Sequence, residues 1–454
     1  MYIHREVDTE LLNWKTTTTR KPLLMRGARQ VGKSSAIRHL GQRFSYFIEI
    51  NFDENRQWLE LFNSTQNIDE LLEQISILEN TPIIEGETLL FLDEIQSSLP
   101  AINLLRYFYE KKPNLHVIAA GSLLEFALKE LASFGVGRIR SLFMYPLTFQ
   151  EFLLAHNEAL LLEKLKHATP TSPIPDSLHQ KLVSYYKKFL IIGGMPEVVK
   201  SYVIHKDLLE IQRILDDLII SLQADFTKYK KRIEPLKIAE VFSNVVMQQG
   251  EKFTYTYPNA SLNNQQIKEI LQLLEMAGLV HFVTHTAANG IPLGAEINPK
   301  KRKVLLFDTG IYQRILKLDI GQLLTLDNLS VINKGNIAEL SVGLELIKNQ
   351  SPYERTNLYY WQREAKNSQA EVDYVIQQGE TILPLEVKAG TKGAMQSMFL
   401  FLHEKNKHKG IRISLENFGK MEKIDIYPLY GVWNLVNENG LQIVASHFQI
   451  INKS

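Results

Sequence analysis

Gly27-Ala28-Arg29-Gln30-Val31-Gly32-Lys33-Ser34 fits the pattern GxxxxGK[ST], and its flanks suit a loop that cradles phosphate. The apolar run Pro22-Leu23-Leu24-Met25 before it reads as a short buried strand, and Ser35-Ala36-Ile37-Arg38-His39-Leu40 after it as a helix. The glycines let the backbone wrap with its N–H groups pointing inward, and the helix N-terminus adds partial positive charge. In such a loop Lys33 reaches the β- and γ-phosphates of a nucleoside triphosphate, and Ser34 ligates Mg²⁺. A chance match on a surface turn would have neither the flanking elements nor the acidic partner found downstream. Nucleotide binding by residues 27–35 is therefore the first expectation.

That partner is Thr88-Leu89-Leu90-Phe91-Leu92-Asp93-Glu94, an apolar strand ending in two acids, the form of a Walker B strand. Asp93 would hold the water shell of Mg²⁺, and Glu94 would polarise the water that attacks the γ-phosphate. Tyr46–Phe52 reads as another strand, and His116-Val117-Ile118-Ala119-Ala120 as a further one ending at Gly121-Ser122, a strand tip where many ATPases with such a loop carry a polar residue beside the γ-phosphate. Short apolar strands alternating with helices from about Lys21 to Leu147 predict a parallel sheet covered on both faces. After a helix over Leu123–Leu131 comes Phe134-Gly135-Val136-Gly137-Arg138-Ile139-Arg140 and a strand over Ser141–Tyr145. Arg138 is either an arginine acting on the transition state of a neighbouring subunit or a solvated residue at a loop end.

These segments, in this order with Pro146-Leu147-Thr148-Phe149-Gln150-Glu151-Phe152, resemble a large family of bacterial and archaeal AAA-superfamily ATPases with an uncharacterised C-terminal domain. Gly193-Gly194-Met195-Pro196-Glu197 and Phe307-Asp308-Thr309-Gly310 extend the resemblance over nearly the whole chain. It implies a P-loop core of the additional-strand, catalytic-glutamate type, a helical lid, a winged-helix segment and hydrolysis of ATP. Ser34 and Ser35 stand where threonine is common in the family, an equivalent hydroxyl for Mg²⁺.

Further along, residues 149–226 read as helices, broken by Thr169-Pro170-Thr171-Ser172-Pro173-Ile174-Pro175, and form the expected lid. The glycines at 193–194 end a helix, either as a plain turn or as a nucleotide contact. The basic run Thr227–Arg232 marks the next boundary. Helices over 238–248 and 264–276, strands over 278–283 and 303–307 then suggest a winged helix, with Lys300-Lys301-Arg302-Lys303 at the wing tip. Such a wing grips a nucleic-acid backbone, or is merely solvated, or docks protein.

The last stretch, 326–454, carries its own chemistry. Asp373 on one strand, followed by Glu386-Val387-Lys388 on the next, resembles the PD-(D/E)xK nuclease core. Glu386 and Lys388 share a strand face, and Asp373 joins Glu386 to hold a hard divalent cation through oxygens. Glu339, on a helix over 336–347, completes the shell, and Lys388 activates the water as the only nearby positive group. A hairpin whose charges merely pair is the alternative. The expected organisation is α/β: ATPase core 1–148, lid 149–226, winged helix 227–325, nuclease-like domain 326–454.

Composition bounds the rest. The 454 residues are 45% hydrophobic and 22% charged with no cysteine, as in an ordinary globular protein of two to four domains suited to a reducing cytoplasm. Disulfides, thiol catalysis and Cys-ligated zinc are excluded. Met1–Asp8 is too charged for the apolar core of a signal peptide, and no apolar run is long enough to span a bilayer. A net charge of +1 restricts any nucleic-acid surface to a local patch. Two functions compete: an ATPase acting on DNA through a metal-dependent nuclease domain, and an ATP-controlled regulator that binds protein through an inactive nuclease fold. ATP and Mg²⁺ are expected in both, and a homo-oligomer if Arg138 acts in trans.

Overall fold

The computed structural model describes residues 1–65, 67–130, 137–229, 233–255, 262–321, 335–364, 370–391 and 393–437. The expectations resting on Phe134–Val136, on Lys230–Arg232 and on the boundary near residue 326 lie outside them. The chain divides into two compact units: Met1–Pro146 with Met276–Leu279 and Ser351–Arg355, and the remainder.

The first unit is a five-stranded parallel sheet in the order β2-β3-β4-β1-β5. Its strands are β1 (Leu23–Arg26), β2 (Tyr46–Asn51), β3 (Thr88–Asp93), β4 (His116–Ala120) and β5 (Arg140–Phe143). Every residue of β3 and β4 is buried, as runs of Leu, Ile, Val and Ala demand when helices cover both faces. Those helices are α1 (Glu6–Thr16), α2 (Lys33–Gly41), α3 (Arg56–Ser64), α4 (Ile68–Leu78), α5 (Leu99–Lys111) and α6 (Leu124–Glu130). Asn55, Asn67 and Ser98 start α3, α4 and α5 by accepting hydrogen bonds from Gln57, Asp69 and Ala101 amides. Leu24, Ile48, Leu90 and Val117 of the strands pack with Phe62, Leu71 and Leu105 into one core. β4 lies between β1 and β3, the additional strand that the resemblance implied. The phosphate loop, the acids at the end of β3 and Gly121-Ser122 thus all lie at the carboxyl ends of parallel strands, where open α/β sheets bind ligands.

The second unit begins with five helices, α7 (Phe149–Ala155), α8 (Ala159–Lys166), α9 (Asp176–Ile192), α10 (Pro196–His205) and α11 (Leu208–Ala224). Thr148 and Glu151 close a reciprocal capping box at the start of α7. Next come α12 (Pro235–Met247), α13 (Asn264–Met276), the hairpin β6 (Val280–Thr286) and β7 (Ile297–Leu306), then α14 (Thr309–Ile315) and α15 (Asn336–Lys348). β8 (Leu358–Gln362), β9 (Glu371–Gln378), β10 (Thr381–Val387), α16 (Gln396–Glu404), β11 (Gly410–Ser414), β12 (Gly419–Met421) and β13 (Ile424–Pro428) complete it. All eight strands form one mixed sheet, β12-β13-β11-β10-β9-β8-β6-β7.

Two features differ from expectation. The supposed wing is a hairpin whose β6 pairs in parallel with β8, so strands from both sides of residue 326 share one sheet. Lys300–Lys303 lie inside β7 and not at its tip, and Lys303 is 1% exposed. The cause is the apolar run Val304-Leu305-Leu306-Phe307, which draws the end of β7 into the core and carries Lys303 with it.

The two glycine-containing signatures turn out to meet. Asp308, fully enclosed, accepts hydrogen bonds from the Gly194 and Ile311 amides at 2.7 and 3.0 Å. A side chain at Gly193 would begin 2.3 Å from the Asp308 carboxylate, and one at Gly310 would begin 2.2 Å from the Ile192 carbonyl. Each motif leaves room for the other, so this pairing is a structural lock inside the second unit.

Candidate functional site

The phosphate loop is built by backbone that few side chains tolerate. Gln30 and Gly32 have φ of 62° and 99°, and a Cβ on Gly27 would overlap the Met144 carbonyl at 2.1 Å. Gly32 is the residue before α2, so the helix amides open directly onto the loop. Arg5, to which the sequence reading gave no role, donates to the Val31 carbonyl at 2.9 Å and to the Tyr145 carbonyl at 2.7 Å. It ties the loop to the chain leaving β5. Gly278, with φ of 74°, approaches the loop from a distant part of the sequence, where a Cβ would stand 3.1 Å from the Ala28 amide.

Lys33 is buried and folds onto the loop, donating to the Gly27 and Ala28 carbonyls at 3.0 and 2.8 Å. Burial lowers its amine to about 8, opposed by Glu94 and Asp93 and helped by Arg29. Ser34 donates its hydroxyl to Asp93 at 2.9 Å, which joins the loop to the end of β3. Burial pushes the Asp93 carboxyl up, against the hydrogen bonds from Ser34 and the Glu94 amide. Ser35 is exposed. Glu94 sits in the left-handed region at φ 48°, with its carboxylate held by the Gln96 amide at 2.6 Å. Gln96 fits because position 121 is glycine: a Cβ there would begin 2.0 Å from Gln96 Oε1. Ser122 is buried at the tip of β4. Arg138, half exposed, pairs with Glu110.

This arrangement fits Mg²⁺ and a triphosphate. A buried carboxylate beside a serine hydroxyl is a hard-oxygen donor set, and a buried amine with only carbonyl partners matches an anion better than it matches those carbonyls.

In the second unit the structure gathers Glu339 of α15, Asp373 of β9 and Glu386 of β10, but around a residue that the sequence reading placed elsewhere. Lys303 Nζ lies 2.8 Å from Glu339, 2.5 Å from Glu371 and 4.0 Å from Asp373. Lys388 is therefore not the only cation there; it pairs with Glu386 at 2.7 Å. The second Asp373 oxygen accepts from the Val387 amide at 2.8 Å. Burial raises the Glu339 and Glu386 carboxyls to about 7, with Lys303 opposing at the first and Lys388 at the second. Burial also opposes the charge on Lys303, but Glu339, Asp373 and Glu371 outweigh it and hold the amine well above the usual lysine range. Among the described residues no three His, Asp or Glu side chains converge as a metal-holding group. The signal for Lys303 was present: it is the last cation of a basic run and the first residue before the apolar one.

Residues 19–153 match the AAA domain family, over the stretch that carries the five-stranded parallel sheet. Residues 183–321 and 334–430 match two domains of unknown function, DUF8612 and DUF4143. An uncharacterized protein of Haemophilus influenzae is 23% identical over 438 residues, spanning 93% of this chain and 96% of its own length. Among solved structures, a Walker-type ATPase of Pyrococcus abyssi is 14% identical over 69% of this chain and 96% of its own, with a TM-score of 0.43. The ORC1 protein of Aeropyrum pernix, solved with DNA, is 13% identical over 72% of this chain and 93% of its own, with a TM-score of 0.25. No described helix is long and apolar enough to cross a membrane.

Proposed function

We propose that the first unit binds ATP with Mg²⁺ and hydrolyses it. The observation that carries this reading is the Ser34–Asp93 hydrogen bond beside a buried, carbonyl-bound Lys33. Residues 27–35 cradle the phosphates, and Lys33 exchanges its two carbonyls for phosphate oxygens. Ser34 and Asp93 hold the cation, which supplies neutralisation of the triphosphate charge. Glu94 accepts the proton of the attacking water, and Ser122, past the end of β4, contributes a hydroxyl beside the γ-phosphate. Arg138 acts from a neighbouring copy once Glu110 releases it.

Hydrolysis should be measured beside binding of a fluorescent ATP analogue. Lys33→Ala should lose binding, whereas Glu94→Gln should bind but turn over slowly. Unchanged steady-state hydrolysis in both would refute the assignment. Arg138→Ala protein mixed with Lys33→Ala protein should regain activity, since each supplies what the other lacks.

What the ATPase drives is read in two ways. Coupling to DNA processing rests on the nuclease-like strands carrying Asp373, Glu386 and Lys388. The second reading, an ATP-controlled regulator that binds protein and cuts nothing, is favoured by Lys303 lying among the carboxylates.

A further inference from the structure

We propose that Lys303 is the resident cation of the carboxylate cluster in the second unit, standing where a nuclease of this strand pattern would hold a divalent metal. The inference deepens the second reading above and is independent of ATP hydrolysis.

Four carboxylates, Glu339, Glu371, Asp373 and Glu386, come from three separate elements onto one face of the sheet. Brought together bare they would repel, and a positive charge among them relieves that repulsion. Lys303 provides it. An ammonium has three N–H groups, and here carboxylates of Glu339 and Glu371 lie at hydrogen-bonding distance with Asp373 just beyond. A divalent ion would need the same oxygens at about 2.0–2.6 Å. It would have to displace an amine that already lies 2.5 and 2.8 Å from the Glu371 and Glu339 oxygens.

The amine also has no exit. Lys303 is 1% exposed, its backbone is paired with Val283 in the hairpin, and an isolated bridge to Lys252 holds its other edge. The Tyr360 ring, with Nζ 5.4 Å from its centre, closes another side. Lys303 is thus held through its backbone by two neighbouring segments and through its amine by the cluster. Asp373 is further committed, since one oxygen takes the Val387 amide. The residues present do not fit a resident divalent metal, and they fit an internal ion-pair brace that fastens α15 and β9 to β7.

The test uses the full-length chain without nucleotide and Mn²⁺ followed by electron paramagnetic resonance. Wild type should show no Mn²⁺ binding that Asp373→Asn removes. Lys303→Ala should gain one equivalent of bound Mn²⁺, lost again in Lys303→Ala/Asp373→Asn, and its melting temperature should rise with Mn²⁺ where that of wild type does not. If Lys303→Ala does not fold, as circular dichroism would report, Lys303→Ala/Glu339→Gln takes its place with one repelling charge fewer. Stoichiometric, Asp373-dependent Mn²⁺ binding by wild type would overturn the proposal. So would a folded Lys303 variant that gains no ion, or Mn²⁺-dependent cleavage of labelled DNA by wild type that Asp373→Asn abolishes. Because every arm is read without ATP, failure here leaves the ATPase reading untouched, and a failed ATPase assay leaves this one untouched.

Discussion

Lys33 and Lys303 are both buried lysines, one in each unit, and opposite chemistry surrounds them. Lys33 meets two backbone carbonyls and holds its proton less tightly than a free lysine; Lys303 meets carboxylates and holds it more tightly. A buried cation whose hydrogen-bond partners are neutral carbonyls can still take an anion. A buried cation with its anions supplied by the chain is finished, and it serves the fold. Burial alone therefore does not mark a functional lysine. The partner set does.

Stability should separate the two most strongly. Lys303→Met leaves carboxylates buried without a counter-charge and should cost the second unit about 3–5 kcal/mol in urea unfolding. Lys33→Met removes a charge that burial already penalises, so the first unit should keep its stability while losing ATP binding. Equal losses in both variants would break the comparison.

Catalysis comes next in size. Glu94→Gln should slow turnover by roughly 10²-fold or more with ATP affinity kept. Gln96→Ala, which frees the Glu94 carboxylate, should lower kcat by about tenfold with little change in KM, the signature of a positioning residue.

A third effect is the pH dependence of nucleotide affinity. Free Lys33 titrates at about 8, and triphosphate oxygens raise that value, so binding takes up a proton above it. ATP affinity should be flat below about pH 8 and then fall by up to about tenfold per unit as pH rises. Isothermal titration at pH 7, 8 and 9 would show it, and a flat profile would mean that Lys33 stays charged in its carbonyl nest.

The two units should also respond oppositely to acid. Glu339 and Glu386 are raised to about 7, so the folded state holds protons that the unfolded chain releases, and stability in the second unit falls as pH rises from about 4.5 through 7. His116 in the first unit is lowered to about 4 by burial, so its contribution runs the other way and is lost as pH falls from about 6.5 to 4. Each slope should amount to on the order of 1 kcal/mol per pH unit, read by thermal melting with probes in the separate units. The smallest effect expected is at Gly278→Ala, where a left-handed residue gains a Cβ against Ala28 and should raise KM for ATP a few-fold.

Legibility in the sequence followed chain distance. The phosphate loop, the Asp93-Glu94 pair and the strands bearing them are contiguous signals, and the five-stranded sheet follows from them. Arg5 was silent because its carbonyl partners, Val31 and Tyr145, are 26 and 140 positions away. Lys303 was misplaced for a related reason: its environment is fixed by strand register and by Glu371 on a strand three places across the sheet. The pairing of Gly193-Gly194 with Asp308 likewise joins two recognisable motifs that nothing local connects.

Unit one is assembled from three separate stretches of chain, and this bears on how the gene can be cut and recombined. A chain ended after Pro146 keeps every residue of the phosphate loop. It loses Gly278 beside Ala28, the Pro352 carbonyl that accepts from Phe143 at the sheet edge, and Tyr353 bonded to Glu10. The first unit is thus no cassette to be excised or swapped at one junction. Inheritance has to move it together with the sequence that interrupts it.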